Sequence, residues 1–281
     1  MTHVPKFSTD FLHKEYPEPE HLPETFIEWV IVSENNVGVT SGSVPSVKIS
    51  GSHALAGLAI ERFQYLGHEE KTPVYAAEIV PGANPPAGMV FSDVRELNGR
   101  IPDNELALAG LAVQLIDFDR TAQFCGKCGS RTVQVKTELA RRCPSCGIVT
   151  YPCLSPAIIV LVMKGDQILL ARSPRFPPGM FSVIAGFVEA GESIEHAILR
   201  EVREETGISI KNIHYFGSEP WPFPHSLMIG FTADYAGGDI VIDANEIESA
   251  FWFDREHLPR TPERMSISRA LIDWWIKGGT R

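Results

Sequence analysis

Four of the five cysteines in this chain of 281 residues form two pairs, and their spacing constrains the fold more than any other feature. The segments CGKC and CPSC give the pattern C-x2-C-x14-C-x2-C. Two tight turns that each carry two thiolates provide four soft ligands at tetrahedral reach, the set that selects zinc. Because four protein ligands leave no coordination position for water, we predict a structural zinc site formed by Cys125, Cys128, Cys143 and Cys146. Two redox-active thiol pairs are the alternative.

The cysteine segment separates regions of different composition, and these regions predict three domains. Residues 1–120 carry short β-like runs such as FIEWVIV and VYAAEIV, and residues 103–119 show apolar side chains at helical spacing. This region holds no cluster of acids, cysteines or histidines that we assign to chemistry, so we interpret it as a β-rich scaffold or dimerisation domain. Residues 121–153 form the ribbon; Cys153 lies outside the cysteine pattern and is expected to be buried.

The third region, residues 154–281, alternates strand-like and helical segments. Strand-like runs occur at AIIVLVM, QILLA, FSVIA, SLMIGFTADY and GDIVID, and a final helix is predicted within PERMSISRALIDWWI. Strands lie on both sides of a helix without regular strand–helix–strand repetition. This arrangement predicts an α+β chain whose third domain is a mixed sandwich.

Charge and hydrophobicity exclude some classes of function. The formal net charge of −10 disfavours a general binder of nucleic-acid backbones. We find no apolar run long enough to cross a bilayer and no secretory signal, so we expect a cytoplasmic protein without a membrane partner. An anionic substrate remains possible, but it requires local cations at the site.

The segment GFVEAGESIEHAILREVREETGI, residues 186–208, predicts a helix with an unusual charge pattern. Ser193 is suited to cap its start and Gly207 its end, which places the helix at 194–206. At about 100° per residue, the buried face carries Ile194, Ala197, Ile198 and Val202. Three glutamates near the end of the helix lie on an arc that overlaps this face, at positions 201, 204 and 205.

These glutamates are electrostatically unfavourable unless they face a cation. Like charges three or four residues apart, as in Glu201–Glu204 and Glu201–Glu205, cost about 0.2–0.5 kcal/mol each. Carboxylates in the last turn also oppose the helix dipole, by about 0.3–1 kcal/mol each. Oxygen ligands favour Mg²⁺ or Mn²⁺ over zinc. We therefore predict a divalent-cation site at the end of this helix.

The same segment resembles the box of the Nudix hydrolases, G-x5-E-x7-R-E-U-x-E-E-x-G-U, in which U is aliphatic. Every specified position is filled without a gap, by Gly186, Glu192, Arg200, Glu201, Val202, Glu204, Glu205, Gly207 and Ile208. The resemblance implies an α/β/α sandwich in which the box carboxylates hold Mg²⁺ or Mn²⁺ against a diphosphate. In that family, water attacks phosphorus.

A second motif indicates which diphosphate is cut. The segment SEPWPFPHS, residues 218–226, is similar to SQPWPFPxS of the NADH pyrophosphatase branch, which also has a four-cysteine ribbon before its Nudix domain. Trp221, Phe223 and the prolines form a stiff aromatic loop suited to shaping a base pocket. Glu219 stands where the branch has Gln, which leaves the preference among NADH, NAD⁺ and related dinucleotides open.

The resemblance also implies roles for residues outside these motifs. Phe187 and Tyr151 match positions where the branch stacks the nicotinamide, the tyrosine coming from the partner subunit of a homodimer. Glu246 matches a metal-ligating acid beyond the box, with Glu248 as a nearby competitor, and Ser226 matches a hydroxyl of the same pocket. Arg200 would orient the box acids, and Glu192 would contact Arg200.

We therefore predict a homodimeric hydrolase that requires Mg²⁺ or Mn²⁺ and cuts NADH into reduced nicotinamide mononucleotide and AMP. Glu201, Glu204, Glu205 and Glu246 would bind the metals, and Glu204 or Glu205 would help to deprotonate the attacking water. Removal of an NAD cap from RNA 5′ ends is the second hypothesis. A non-enzymatic regulator that only senses a ligand is the third.

Overall fold

The computed structural model describes residues 27–69, 72–263 and 265–279. The chain divides into two compact units, of which one ends at Cys153 and the other begins at Leu154. Many strands and few helices fill both units, as predicted for the α+β class. Within the described ranges, none of the helices is both long and apolar enough to cross a membrane.

The N-terminal unit is built on a sheet whose strands follow the order β4-β5-β1-β2-β6, with β3 beside β1. Strands β1 and β5 pair in parallel, and the other neighbouring strands pair antiparallel. Helix α1, Asp103–Thr121, packs against β4, β1 and β5 and confirms the predicted helix. The strands are β1 (Glu28–Ser33), β2 (Asn36–Thr40), β3 (Lys48–Ser50), β4 (Ile60–Glu69), β5 (Thr72–Ile79) and β6 (Met89–Asp93).

A small antiparallel sheet follows α1 in the same unit, formed by β7 (Val133–Gln134), β8 (Arg141–Arg142) and β9 (Val149–Thr150). The buried Arg141 forms an ion pair with Asp119 of α1. It also donates from Nε to the Thr132 hydroxyl at 2.8 Å and from Nη2 to the Thr132 carbonyl at 3.0 Å. The ion pair attaches the ribbon to the last turns of α1, and the two bonds to Thr132 hold Arg141 within the ribbon.

The C-terminal unit has a central sheet in the order β13-β14-β10-β11-β15, with β12 paired to β10. Strand β10 pairs in parallel with β14 and antiparallel with β11 and β12. The strands are β10 (Ser155–Lys164), β11 (Gln167–Arg172), β12 (Ile184–Phe187), β13 (Ser209–Trp221), β14 (Ser226–Gly237) and β15 (Ser249–Phe253).

Helices α2 (Ile194–Thr206) and α3 (Ile267–Ile276) cover the two faces of this sheet. Side chains of β10 alternate between them: Ile158 and Val160 pack in the cluster with α2, whereas Ile159 and Leu161 pack in the cluster with α3. A strand that is buried on both faces has a continuous run of apolar residues, as AIIVLVM does. The predicted α/β/α sandwich is confirmed.

Two predictions about local structure were wrong. The segment GDIVID is not a strand. Its backbone instead hydrogen-bonds to the end of α2, where the N–H of Val241 donates to the carbonyl of Thr206 at 2.9 Å. The partner of β14 is β13, whose apolar alternation is broken by register shifts between Lys211 and His214 and near Tyr215. Cys153, expected to be buried, is exposed.

The box helix follows its prediction to the residue. It begins after Ser193, whose hydroxyl accepts the N–H of His196, and ends at Gly207. The φ angle of Gly207 is 73°, in the left-handed region that favours glycine.

Candidate active site

A cavity of about 650 Å³ lies in the C-terminal unit, between β12, α2, the loop after β11 and the loop before β15. Its wall combines five glutamates with the aromatic ring of Phe187 and two arginines, Arg175 and Arg200. The glutamates are Glu189, Glu201, Glu204, Glu205 and Glu246. Four of these five acids, all but Glu189, are the predicted metal ligands, so the fold brings acids from two distant segments to one cavity.

Gly186 allows the sheet and the box helix to approach closely. It lies on β12, opposite Ile158 of β10, and the carboxylate of Glu201 occupies the space into which a side chain here would project. A Cβ added at this position would overlap the carboxylate carbon and both carboxylate oxygens. The glycine of the box is therefore required by the position of Glu201.

Arg200 orients several groups around the cavity. Its guanidinium donates to both oxygens of Glu192, at 2.8 Å from Nε and 2.9 Å from Nη2. Nη1 donates to Glu201 at 2.9 Å and to Glu204 at 3.0 Å, and Nη2 also reaches the carbonyl of Phe187 at 3.0 Å. The predicted contact between Glu192 and Arg200 is present, and it holds the pKa of Glu192 at about 2.

Burial and mutual repulsion raise the pKa values of two box acids. Glu201 and Glu205 are each 8% exposed. Burial is the largest cause for both, and in Glu205 it acts together with the negative charges of Glu201, Glu246 and Asp243 to raise the pKa to about 8. Crowded carboxylates with raised pKa values and oxygen-only donors fit a divalent cation of the Mg²⁺ type.

The structure distinguishes the two candidate acids beyond the box. Glu246 lines the cavity, and its charge raises the pKa of both Glu201 and Glu205. Glu248 instead forms an ion pair with Arg172 at 3.1 Å and does not line the cavity. The geometry therefore brings Glu246, and not Glu248, to the box acids.

Sequence reasoning missed Asp243, a further acid beside Glu205. Its N–H donates to the carbonyl of Glu205 at 3.3 Å, and its charge contributes to the raised pKa of that residue. Its Oδ1 accepts from both nitrogens of Asn245, at 2.9 Å each. The sequence DANEIE could have indicated this acid, since it places three acids within six residues directly after GDIVI.

The motif SEPWPFPHS forms the end of β13, the turn and the start of β14. Glu219 is 6% exposed, and its carboxylate accepts the N–H of Ile267, the first residue of α3, at 2.6 Å. The rings of Trp221 and Phe223 meet edge to face, with centroids 5.1 Å apart. Neither these residues nor the buried Ser226 line the cavity that holds the acids.

The register of the sheet nevertheless places this turn beside Phe187. On one side of β10, Phe187 is opposite Ala157, and on the other side Ser226 is opposite Ser155. Neighbouring strands are about 4.8 Å apart, so two strand spacings separate Phe187 and Ser226 laterally by about 10 Å. This distance is within the length of a dinucleotide.

Tyr151, the remaining predicted substrate contact, lies in the N-terminal unit. The residue is 56% exposed, and its hydroxyl donates to Glu138 at 2.7 Å. The hydrogen bond to this carboxylate raises the pKa of Tyr151.

The four paired cysteines of the ribbon form one cluster, in which all sulfur atoms lie within 4.8 Å of one another. The sulfurs of Cys125 and Cys146 are 3.6 Å apart, and those of Cys128 and Cys143 are 3.5 Å apart. A tetrahedral zinc ion with Zn–S bonds of about 2.3 Å separates its ligands by about 3.8 Å. The sulfur positions therefore fit zinc.

Known sequence families match three consecutive parts of the chain. They are an NADH pyrophosphatase-like rudimentary NUDIX domain at residues 28–117, an NADH pyrophosphatase zinc ribbon domain at 120–151 and a NUDIX domain at 154–275. The NAD-capped RNA hydrolase NudC of Deinococcus radiodurans is 46% identical over 237 residues, which cover 83% of this chain and 81% of that protein. The chain belongs to the NADH pyrophosphatase branch of the Nudix hydrolases. The protein of the same name from Pseudomonas aeruginosa is 46% identical over 211 residues, 75% of this chain and 76% of that protein.

Membership in this branch confirms the predicted family and the prediction that the chain is an enzyme, a pyrophosphohydrolase. It also supports the predicted structural zinc in the ribbon and a divalent cation in the Nudix domain. The hypothesis of a non-enzymatic regulator loses its support, since this Nudix domain keeps every specified residue of the box.

Proposed function

We propose that this Nudix enzyme hydrolyses the diphosphate of NADH, and of NAD⁺ or related dinucleotides. Water adds to one phosphorus atom and the bond from that phosphorus to the bridging oxygen breaks, which leaves nicotinamide mononucleotide and AMP. The observation that carries the proposal is the convergence of Glu201, Glu205 and Glu246 beside the exposed ring of Phe187 in one cavity.

Glu201, Glu204, Glu205 and Glu246 would hold Mg²⁺ or Mn²⁺. Divalent ions bound there would neutralise the diphosphate and lower the pKa of a coordinated water. Arg200 fixes the carboxylates of Glu201 and Glu204, so these two acids need little reorganisation when a substrate binds. We assign acceptance of the proton from the attacking water to Glu204 or Glu205.

The aromatic groups would bind the nicotinamide half of the substrate. The exposed Phe187 ring offers a stacking face, held in place because Arg200 fixes the carbonyl of the same residue. We propose that Tyr151 of a second subunit supplies the other face, so that the active enzyme is a homodimer. Trp221, Phe223 and Ser226 would shape the far side of the pocket, and Glu219 would support it through α3.

The second candidate is removal of an NAD cap from RNA 5′ ends, which breaks the same bond. The relatives from Deinococcus radiodurans and Pseudomonas aeruginosa carry the name NAD-capped RNA hydrolase, which favours it. The net charge of −10 favours recognition of the cap itself rather than of a long RNA backbone. Initial rates on free NADH and on NAD-capped RNA at equal concentration would rank the two substrates.

We further propose that the chain works in the cytoplasm and comprises three domains, at residues 1–120, 121–153 and 154–281. The first would serve as a scaffold or a dimerisation domain. Sedimentation of the full chain, compared with the chain from residue 121 onward, would test that role through the loss of a dimer.

The decisive experiment is a dinucleotide panel with Mg²⁺ or Mn²⁺, in which products are separated by chromatography. Wild type should release AMP from NADH, and Glu205→Gln should reduce kcat by at least about 100-fold, since it removes a carboxylate from the metal site. Glu195→Gln, an exposed change on the first turn of the same helix, should retain activity. Absence of turnover by wild type on every dinucleotide and on NAD-capped RNA would overturn the proposal.

A further inference from the structure

In the loop between β11 and β12, residues 173–183, one arginine holds part of the backbone. Arg172, at the end of β11, donates from Nη1 to the carbonyl of Pro177 at 2.5 Å and from Nη2 to that of Phe176 at 3.1 Å. Its Nε donates to Glu248 at 3.1 Å, and the N–H of Glu248 returns to the carbonyl of Arg172 at 2.8 Å. The loop and the segment that carries Glu246 are thereby joined at one point.

This loop places Arg175 at the cavity. Arg175 is exposed and lines the cavity together with Phe176. Within the part of the chain that the structure describes, its guanidinium has no hydrogen bond or ion pair, whereas Arg200 uses its donors on Glu192, Glu201, Glu204 and the Phe187 carbonyl. Of the two arginines in the cavity wall, Arg175 is the one available to a ligand.

The charge of the cavity indicates what that ligand is. Five glutamates line it, and the Arg200 charge is offset by the acids that surround it. A diphosphate therefore needs a further cation besides metal ions held by these acids. A guanidinium matches a phosphoryl group with two parallel donors, and a preformed loop lowers the entropy lost on binding.

We propose that Arg175 binds a non-bridging oxygen of the substrate's diphosphate in the cavity that the box acids also line. The inference rests on the proposed function and adds a substrate-binding residue to it. Arg172 is then a positioning residue, since it reaches the substrate only through the loop that it holds.

The test compares Arg175→Gln and Arg175→Lys with a matched control, Arg203→Gln. Arg203 lies in the last turn of α2, is exposed and does not line the cavity, so its replacement changes the net charge equally. Arg175→Gln should lower kcat/KM for NADH by about 10- to 100-fold, and lysine should restore part of it, because one charged donor remains. Arg203→Gln should stay within about twofold of wild type.

A second readout does not depend on turnover. Methylenediphosphonate, whose P–C–P bridge resists hydrolysis, is titrated calorimetrically into each variant with Mg²⁺ present. Arg175→Gln should weaken binding at least about tenfold and Arg203→Gln should not. Equal affinity in wild type and Arg175→Gln, or equal losses in both variants, would overturn the assignment. An inactive wild type that still binds the probe through Arg175 would refute the proposed function and leave this inference standing.

Discussion

The carboxyl group of Glu219 gives the sharpest physical prediction, because it is buried and no cationic side chain among the described residues pairs with it. It is 6% exposed and accepts one N–H, that of Ile267. Burial raises its pKa from 4.5 to about 7, an increase that the hydrogen bond only partly offsets. A raised carboxyl pKa means that the folded state holds a proton that the unfolded chain has released. The contribution of this carboxyl to stability is therefore highest below about pH 4.5, falls as the pH rises to about 7 and is constant above that.

The size of this effect follows from the two pKa values. The difference between about 7 and 4.5 corresponds to about 3 kcal/mol lost from the free energy of unfolding at pH 8.5, relative to the fully protonated protein. Most of this loss, about 2.5 kcal/mol, occurs between pH 5 and pH 8.5. Glu219→Gln stays neutral at every pH, and its carbonyl oxygen can still accept the N–H of Ile267. The amide NH₂ that it buries adds a cost that does not depend on pH.

Urea unfolding followed by tryptophan fluorescence measures this difference. Four of the five tryptophans, at positions 221, 252, 274 and 275, lie in the C-terminal unit with Glu219, so the signal reports mainly on that unit. The difference in the free energy of unfolding, Glu219→Gln minus wild type, should increase by about 2–3 kcal/mol from pH 5 to pH 8.5. Exposed Glu256→Gln is the control and should follow wild type at both values. If the free energy of unfolding changes equally with pH in wild type and in Glu219→Gln, the reasoning is refuted.

Three further variants test the site. Gly186→Ala should reduce kcat by about 100-fold or more, because the new methyl group displaces the Glu201 carboxylate; circular dichroism would confirm an intact fold. Glu192→Gln should lower kcat by about tenfold with a smaller change in KM, since Arg200 loses the partner that orients it; steady-state kinetics would separate the two. Cys128→Ser should lose bound zinc, measured by mass spectrometry, and lower the thermal midpoint of unfolding.

The parts of the fold that were predictable depend on local patterns. Two C-x2-C pairs define their own turns, and the box helix carries both of its caps within the same 23 residues. Strand β13 was missed because its bulges interrupt the alternation by which strands are recognised. No local rule could identify the hydrogen bond from the N–H of Ile267 to Glu219, since the two residues are 48 positions apart.

The same distinction applies to the candidate site. The box acids share one helix, so the rotation per residue was enough to place them together. Arg175 and Asp243 come from separate loops. Only the fold shows that Arg175 lines the cavity of the acids and that Asp243 lies close enough to Glu205 to raise its pKa. Motif SEPWPFPHS predicted an aromatic turn, but its distance from the acids follows from strand register, which the sequence did not reveal.

The incorrect strand prediction for GDIVID and the position of Glu246 have one physical cause. The last carbonyls of a helix have no partner within the helix, and here Val241 and Asp243 donate their N–H groups to those of Thr206 and Glu205. A segment that serves the helix end in this way cannot also pair as a strand. Asp243 then accepts the N–H of Glu246 at 3.1 Å, which holds the acid beyond the box beside the box acids. The end of α2 thus fixes both halves of the proposed metal site through backbone bonds, and side-chain substitutions there should alter charge before they alter geometry.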